Sequence, residues 1–274
     1  MSVVLVAELV IAANLLATSA PTPAESSSIT SVQADARPPV VGDGRTVRLI
    51  SLGGTRTDEL LTRILADMGG AVDAVDRFWG TDWDREIVVI ATDSEPQFVA
   101  QAGLNPNGRW SDIAAVSVAD GVDFNRHQAS GQRMVIAPGA SSMSDSSLRI
   151  VLTHELFHLA ARADTALDAP RWLVEGTADF VARPPAPLPA TAAADTALPS
   201  SAELDAFGPQ RAMGYDRAWW FARFVADTYG VAALHRLYLQ ACGPGHPDFA
   251  AAVRDSLDTD LNELRARWAR WLRR

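Results

Sequence analysis

The chain has 274 residues, 48% of them hydrophobic, and a formal net charge of −9. This length and apolar content suffice for one full hydrophobic core, so we expect a single folded domain behind an N-terminal extension. The negative charge and the lack of a basic patch interleaved with aromatic residues argue against nucleic acid as a partner. Cys242 is the single cysteine, so no disulfide can form within the chain.

The N-terminal segment 3–20 is apolar and ends in small residues, a pattern typical of a secretory signal peptide. Glu8 interrupts the run, no Lys or Arg precedes it, and about 18 residues is also the lower limit for a membrane span. We predict an extracytoplasmic protein, secreted or membrane-anchored, in which residues 1–20 are a signal peptide or an uncleaved anchor. Residues 21–45, rich in Pro and Ser, are predicted to be a flexible linker.

From residue 46 onward the hydrophobic pattern indicates strands first and helices later. It predicts strands at 47–50, 86–91, 113–118 and 134–137, and helices at 58–78 and 94–102. After the last of these strands the chain is predicted to be helical to its end. The predicted fold is α+β, with a small N-terminal sheet packed on the helix that follows it and a mostly helical C-terminal half, in one domain of residues 46–274.

The helix after the last strand contains the motif His154-Glu155-Leu156-Phe157-His158, which predicts that it binds zinc. Because a helix has 3.6 residues per turn, His154 and His158 lie on one face and can bind the same metal ion. Glu155 lies about 100° round from His154, where it can face a water molecule on that metal. Apolar residues surround the motif, and Ser144 and Asp145 are the predicted start of its helix. The alternative is a pair of core histidines beside a surface glutamate.

A hydrolytic zinc site needs a third protein ligand from another element, and Glu175 is the candidate. It lies in a predicted helix over 168–180, with Pro170 near its first turn and Pro184 after its end. A short loop makes this helix antiparallel to the first, so Glu175 and Asp179 share the face turned toward the histidines. Asp179 can then accept the N–H of a ligating histidine. Gly176 suggests a close approach of the two helices, and a solvated helix face is the alternative.

These residues resemble a known family. The motif His154-Glu155-x-x-His158, followed by the run from Trp172 to Asp179, is similar to the gluzincin metallopeptidases and most closely to the bacterial peptidase-MA-like domains, over about residues 85–274. The resemblance implies that His154, His158 and Glu175 bind Zn²⁺, that Glu155 is the general base, and that Asp179 supports a histidine ligand.

Tyr215 receives a role from the same resemblance. The run Tyr215-Asp216-Arg217-Ala218 is similar to the segment from which gluzincin aminopeptidases take the tyrosine that stabilises the tetrahedral intermediate. We place Tyr215 at the start of a helix that ends at Gly230. A tyrosine that anchors the helix start in the core is the alternative. The chain lacks the Gly-x-Met-Glu-Asn stretch of those aminopeptidases, and Val174 stands where thermolysin-like enzymes have Asn, so neither specificity is expected.

The predicted function is zinc-dependent hydrolysis of peptide bonds by an endopeptidase, with a peptide or protein as substrate. One alternative is a catalytically weak, zinc-stapled module that binds peptide or envelope partners, and another is hydrolysis of a non-peptide amide. The Pro/Ala-rich segment 183–200 is predicted to be a flexible connector, with a flap over the cleft as the alternative. The C-terminal arginines are assigned to helix packing, and His127, His235 and His246 are assigned no role.

Overall fold

The computed structural model describes residues 7–10, as backbone only, and residues 38–274. Six strands form one sheet in the order β1-β5-β8-β4-β3-β2, in which β3, β4 and β8 are parallel and the other pairs antiparallel. A two-stranded hairpin of β6 and β7 is separate. The strands are β1 (Ala7–Val10), β2 (Val40–Val41), β3 (Arg45–Ser51), β4 (Glu86–Ala91), β5 (Ile113–Val118), β6 (Gly121–Asp123), β7 (Gln128–Ser130) and β8 (Arg133–Ile136).

Nine α-helices lie within the described residues, and seven of them follow the last strand. They are α1 (Thr55–Trp79), α2 (Glu95–Ala102), α3 (Asp145–Ala161), α4 (Arg171–Ala182), α5 (Ser201–Leu204), α6 (Pro209–Tyr229), α7 (Val231–Cys242), α8 (Phe249–Leu257) and α9 (Leu261–Trp271). The predicted α+β fold is confirmed, with a small N-terminal sheet and a mostly helical C-terminal half.

Both faces of the sheet are covered, which explains why its inner strands are apolar at nearly every position. In β5, Val116 and Val118 pack with α2 in a small core, while Ala115 belongs to the larger core that α1 and α3 share with the helical half. Ser117 is on the same side as Ala115, since side chains alternate along a strand. Ser117 therefore faces α3, where its hydroxyl donates a hydrogen bond to the backbone of Glu155.

The four predicted strands and the first two predicted helices are confirmed, with ends that move by up to three residues. The hairpin of β6 and β7 was not predicted, because each of its strands is only three residues long and neither is apolar. Within the predicted linker, Val40–Val41 already pairs with β3, and Arg45 is completely buried beside Asp43 and Asp76. Regular structure therefore begins a few residues before position 46.

The predicted signal peptide or anchor lies outside the described residues, apart from 7–10. That short stretch pairs antiparallel with β5, with Ala7 opposite Ser117. Among the described parts of the chain, no helix is both long and apolar enough to cross a membrane.

The Pro/Ala-rich segment 183–200 is attached to the helical half. The buried Arg217 of α6 donates hydrogen bonds to the carbonyl oxygens of Asp195 and Ala197, at 2.9 and 2.8 Å. The indole of Trp268 in α9 also donates to the carbonyl of Ala197, at 3.0 Å. These contacts tether the end of the segment to α6 and α9, which favours the connector over the flap.

The thiol of Cys242 is completely enclosed in the core at the end of α7. Burial raises the pKa of this thiol, so the reactive thiolate is scarce in the folded protein. We expect Ellman's reagent to label Cys242 at least about a hundredfold more slowly in the native protein than in denaturant, because labelling requires the core to open. Equal labelling rates in the two conditions would contradict the packing of α7.

Candidate metal centre

The centre lies between α3 and α4, two helices joined by the short loop 162–170. Helix α3 begins after Ser144, whose hydroxyl accepts a hydrogen bond from the amide of Ser147. From Val151 onward every residue of α3 is buried, since the helix is packed against the sheet, α1 and α4. A helix buried on all sides lacks the amphipathic pattern of a surface helix. It places polar side chains in the interior, where each needs a partner.

Three ligand atoms meet in this interior. The Nε2 atoms of His154 and His158 are 3.0 Å apart, and Glu175 Oε2 lies 3.2 Å from the first and 3.7 Å from the second. Zinc bonds of about 2.0–2.2 Å in a tetrahedron separate neighbouring ligand atoms by about 3.3–3.6 Å. The observed triangle therefore fits one zinc ion. All three side chains are buried, and they form the one group of potential metal ligands among the described residues.

Asp179 orients the first of these ligands. Its Oδ1 lies 3.0 Å from His154 Nδ1, one helical turn beyond Glu175 on the same face of α4. A carboxylate accepts and does not donate, so Nδ1 carries a hydrogen, and Nε2 is the atom that can bind a metal once it has lost its own proton. The structure thus brings together His154, His158, Glu175 and Asp179, the four residues that sequence analysis assigned to the metal and its support.

The charges in the cluster depend on one another. Burial alone would lower the pKa of His154, but hydrogen bonds to Asp179 and Glu175 raise it to about 10. Burial alone would raise the pKa of Glu175, but the charge of His158 and hydrogen bonds with both imidazoles lower it to about 2. Burial lowers the pKa of His158. Without a metal, Glu175 therefore needs a proton shared with an imidazole, and a cation can take the place of that proton.

Glu155 is completely buried on α3, and neither of its carboxylate oxygens has a hydrogen-bond partner among the described residues. Burial raises the pKa of this carboxyl to about 7, while the positive charge of His154, the nearby Ser117 hydroxyl and the positive charge of Arg162 oppose the change. Its backbone carbonyl accepts a hydrogen bond from the hydroxyl of Ser117 in β5, at 2.9 Å. A carboxylate without a partner and with a pKa near neutrality is suited to accept and return a proton.

Gly176 has a different neighbour from the one expected. A Cβ atom at this position would lie 2.3 Å from the carbonyl oxygen of Ala218, so the close approach is between α4 and α6 and not between α4 and α3. Since Gly176 follows Glu175 directly, the contact with α6 also fixes the position of Glu175, the third member of the cluster. The expectation named the correct glycine and the wrong helix, because sequence does not show which of several helices covers a given face.

Tyr215 does not lie at a helix start, as was expected. Helix α6 begins at Pro209, so Tyr215 occupies its second turn, where the side chain is buried. It lies one turn before Ala218, on the face of α6 that packs against α4. The predicted role of its hydroxyl remains a prediction.

Two arginines near the site, the buried Arg162 and the partly buried Arg183, were not predicted. Arg162, two turns after Glu155 on the same face, donates to the carbonyl of Ser117 at 2.7 Å. Arg183 forms an ion pair with Asp179 at 2.7 Å. The spacing of four residues between Asp179 and Arg183 is the one sequence signal that could have indicated this pair.

The three remaining histidines do not belong to the cluster. His127 contacts Asp164 at 3.0 Å, and His235 packs on the ring of Trp79. Both line a separate cleft of about 700 Å³ between α7 and the hairpin of β6 and β7. His246 lies in the loop before α8, where its Nδ1 is 3.0 Å from the carbonyl oxygen of Pro247.

No protein-family model matches the chain, and no curated protein matches it. Support for a function therefore comes from the geometry of the centre and from the sequence motifs.

Proposed function

We propose that the protein is a zinc-dependent hydrolase of peptide bonds, most consistent with an endopeptidase of the gluzincin type. One observation carries the proposal. Three buried ligand atoms, from His154, His158 and Glu175, lie 3.0–3.7 Å from one another beside the buried carboxylate of Glu155. This ligand set is the one that zinc peptidases use, and the glutamate that follows the first histidine is a candidate base.

Each residue of the centre has a defined task in this proposal. His154, His158 and Glu175 hold the ion, and Asp179 keeps the His154 imidazole in the tautomer that can bind it. A bound zinc ion would supply Lewis acidity, which lowers the pKa of water to about 7 and polarises the carbonyl of the scissile bond. Glu155 accepts the proton of the attacking water and then delivers it to the leaving amine.

Tyr215 is proposed to donate a hydrogen bond to the carbonyl oxygen as negative charge develops on it. Its position on α6 supports this role. The same face of α6 contacts α4 at Gly176, directly beside the metal ligand Glu175.

We favour a peptide as the substrate because β5, the strand in contact with α3, pairs with an extended segment. Strand β5 contacts α3 through Ser117, and residues 7–10 lie along β5 as an antiparallel neighbour. Removal of the predicted signal peptide would leave this edge of β5 open. A substrate backbone could then add to β5 in the same way, with main-chain hydrogen bonds that tolerate many sequences. The expected extracytoplasmic location, secreted or membrane-anchored, belongs to the same proposal.

The alternative is a catalytically weak, zinc-stapled module that binds peptide or envelope partners. The complete burial of His154 and Glu155 favours it, since a structural site needs no access for substrate. In such a site protein atoms fill all four coordination positions, whereas a catalytic site keeps one for water. A measurement of peptide cleavage distinguishes the two functions, because only the peptidase turns over substrate at an appreciable rate.

Metal content and mass-spectrometric mapping of cleavage in a mixed peptide pool test the proposal. We expect the full chain to bind one zinc ion, and we expect internal cuts that disappear on chelation and return when zinc is restored. Cuts confined to chain ends would indicate an exopeptidase. Zinc binding without any cut would favour the stapled module, and failure to bind zinc would overturn both functions.

A further inference from the structure

Both carboxylate oxygens of the buried Asp179 are in contact with a charged or polar partner. Oδ1 faces His154 Nδ1 at 3.0 Å, and Oδ2 forms an ion pair with Arg183 Nη2 at 2.7 Å. The other terminal nitrogen of Arg183 donates to Asp216 Oδ1 at 2.8 Å. A continuous row of contacts thus runs from Asp216, whose side chain is 40% exposed, to the innermost metal ligand.

Arg183 is held from two helices. It lies at the end of α4, one turn after Asp179, and its guanidinium is also 5.1 Å from the ring centre of Trp219 on α6. Asp216 lies on the same helix as Trp219, three residues earlier. Only 18% of the Arg183 side chain is exposed, so the guanidinium cannot turn freely into solvent. The planar guanidinium can contact two carboxylates at once, and an ammonium group reproduces this geometry poorly.

A completely buried carboxylate needs a cation close by, and it needs a fixed orientation if it is to orient another group. The imidazole of His154 contacts only Oδ1 of Asp179. Arg183 contacts Oδ2 and so prevents rotation of the carboxylate about its last side-chain bond. The orientation of His154, and with it the direction of its Nε2 lone pair, therefore depends on a residue that contacts no metal ligand.

We propose that Arg183 is a positioning residue of the metal centre, which acts through Asp179 on His154 and is itself held by Asp216. The inference rests on the metal site of the proposed function and is independent of its peptide substrate.

Zinc affinity of the full-length protein, measured by competition with a chromophoric chelator, tests this role. We expect Arg183→Met to weaken zinc binding about 10- to 100-fold, as removal of an outer partner of a metal ligand typically does. Arg183→Lys keeps the charge but reaches one carboxylate, so it should restore part of the loss. Arg171→Met is the matched control, because Arg171 begins the same helix and forms an ion pair of 2.9 Å with Asp205. The control should bind zinc like the wild type.

A double-mutant cycle with Asp179→Asn separates positioning from general stability. If Arg183 acts through Asp179, Arg183→Met has little further effect on zinc affinity in the Asp179→Asn background. The absorption spectrum of the cobalt-substituted protein adds a second measurement, because it reports the geometry of the ligands. We expect it to change in Arg183→Met and Asp216→Asn and to stay the same in Arg171→Met.

The inference is overturned if folded Arg183→Met binds zinc within about twofold of the wild type and keeps its cobalt spectrum. If Arg183→Met does not fold, Asp216→Asn is the deciding variant. An unchanged cobalt spectrum of Asp216→Asn would show that the contacts from Asp216 through Arg183 to Asp179 do not position His154. The proposed function is tested separately, by peptide cleavage with the wild-type protein. A wild type that binds zinc and cuts no peptide would exclude the peptidase and leave this comparison valid.

Discussion

We expect Glu155→Gln to lower the rate of peptide cleavage about a thousandfold while zinc affinity stays close to that of the wild type. Glutamine has nearly the same shape as glutamate but cannot accept a proton, so the substitution removes the base and keeps the packing of α3. Glu155 does not supply any of the three ligand atoms in the cluster, so the variant should still bind the metal. Cleavage of a fluorogenic peptide and zinc content measured on the same sample check the two parts together.

Glu59→Gln is the matched control for this prediction. Glu59 is an exposed residue of α1, so its substitution removes the same charge from the protein far from any buried polar group. We expect the control to cleave at the wild-type rate. Cleavage by Glu155→Gln at that rate would show that the activity does not use this carboxylate. A variant that lost its zinc would assign Glu155 to metal binding and contradict its place outside the ligand set.

The second large effect is expected at Gly176. Replacement by alanine should lower the free energy of unfolding by about 3 kcal/mol, because the new Cβ would lie 2.3 Å from the carbonyl oxygen of Ala218. This neighbour is backbone, so no rotation of a side chain can relieve the clash, and α4 must move away from α6. Urea unfolding of the metal-free protein, followed by circular dichroism, measures the change.

Gly70→Ala is the control for the effect of a methyl group on a helix. Gly70 also lies inside a helix, but a Cβ atom there would meet nothing within 4 Å. Because alanine favours helix over glycine, we expect the free energy of unfolding to rise by up to about 1 kcal/mol. Opposite signs at the two glycines would support the close contact of α4 and α6. A rise at both positions would mean that the contact is looser than 2.3 Å.

Gly176→Ala should also reduce zinc affinity, since a displaced α4 carries Glu175 with it. Measurement of zinc binding under conditions where the variant is still folded distinguishes this local effect from unfolding. Unchanged affinity in the folded variant would show that α3 and α4 move together as one unit.

The sequence was sufficient to identify the residues of the cluster because their spacing within each helix is local. His154, Glu155 and His158 have their relative positions set by the helical repeat alone, and the same holds for Glu175 and Asp179. The short loop 162–170 then favours a second helix that returns beside the first. The strands at 86–91 and 113–118 were equally clear, because strands covered on both faces are apolar at nearly every position.

Other features depend on residues that are distant in the chain. Arg183 contacts Asp216, and Gly176 contacts Ala218, across more than thirty residues that include the tethered 183–200 segment. Neither contact follows from a periodic pattern, since periodicity shows that a face is buried and not what buries it. Ser117 likewise reaches the backbone of Glu155 only because β5 is the strand beside α3.

The sequence by itself therefore determined which side chains can bind a metal and which carboxylate stands beside them, since helical spacing sets both. Only the tertiary structure decided how firmly they are held. The orientation of His154 depends on Asp179, that of Asp179 on Arg183, and the depth of Glu175 on the close approach of α6. These are packing relations between separate elements, and packing is settled by the three-dimensional fit of all of them together.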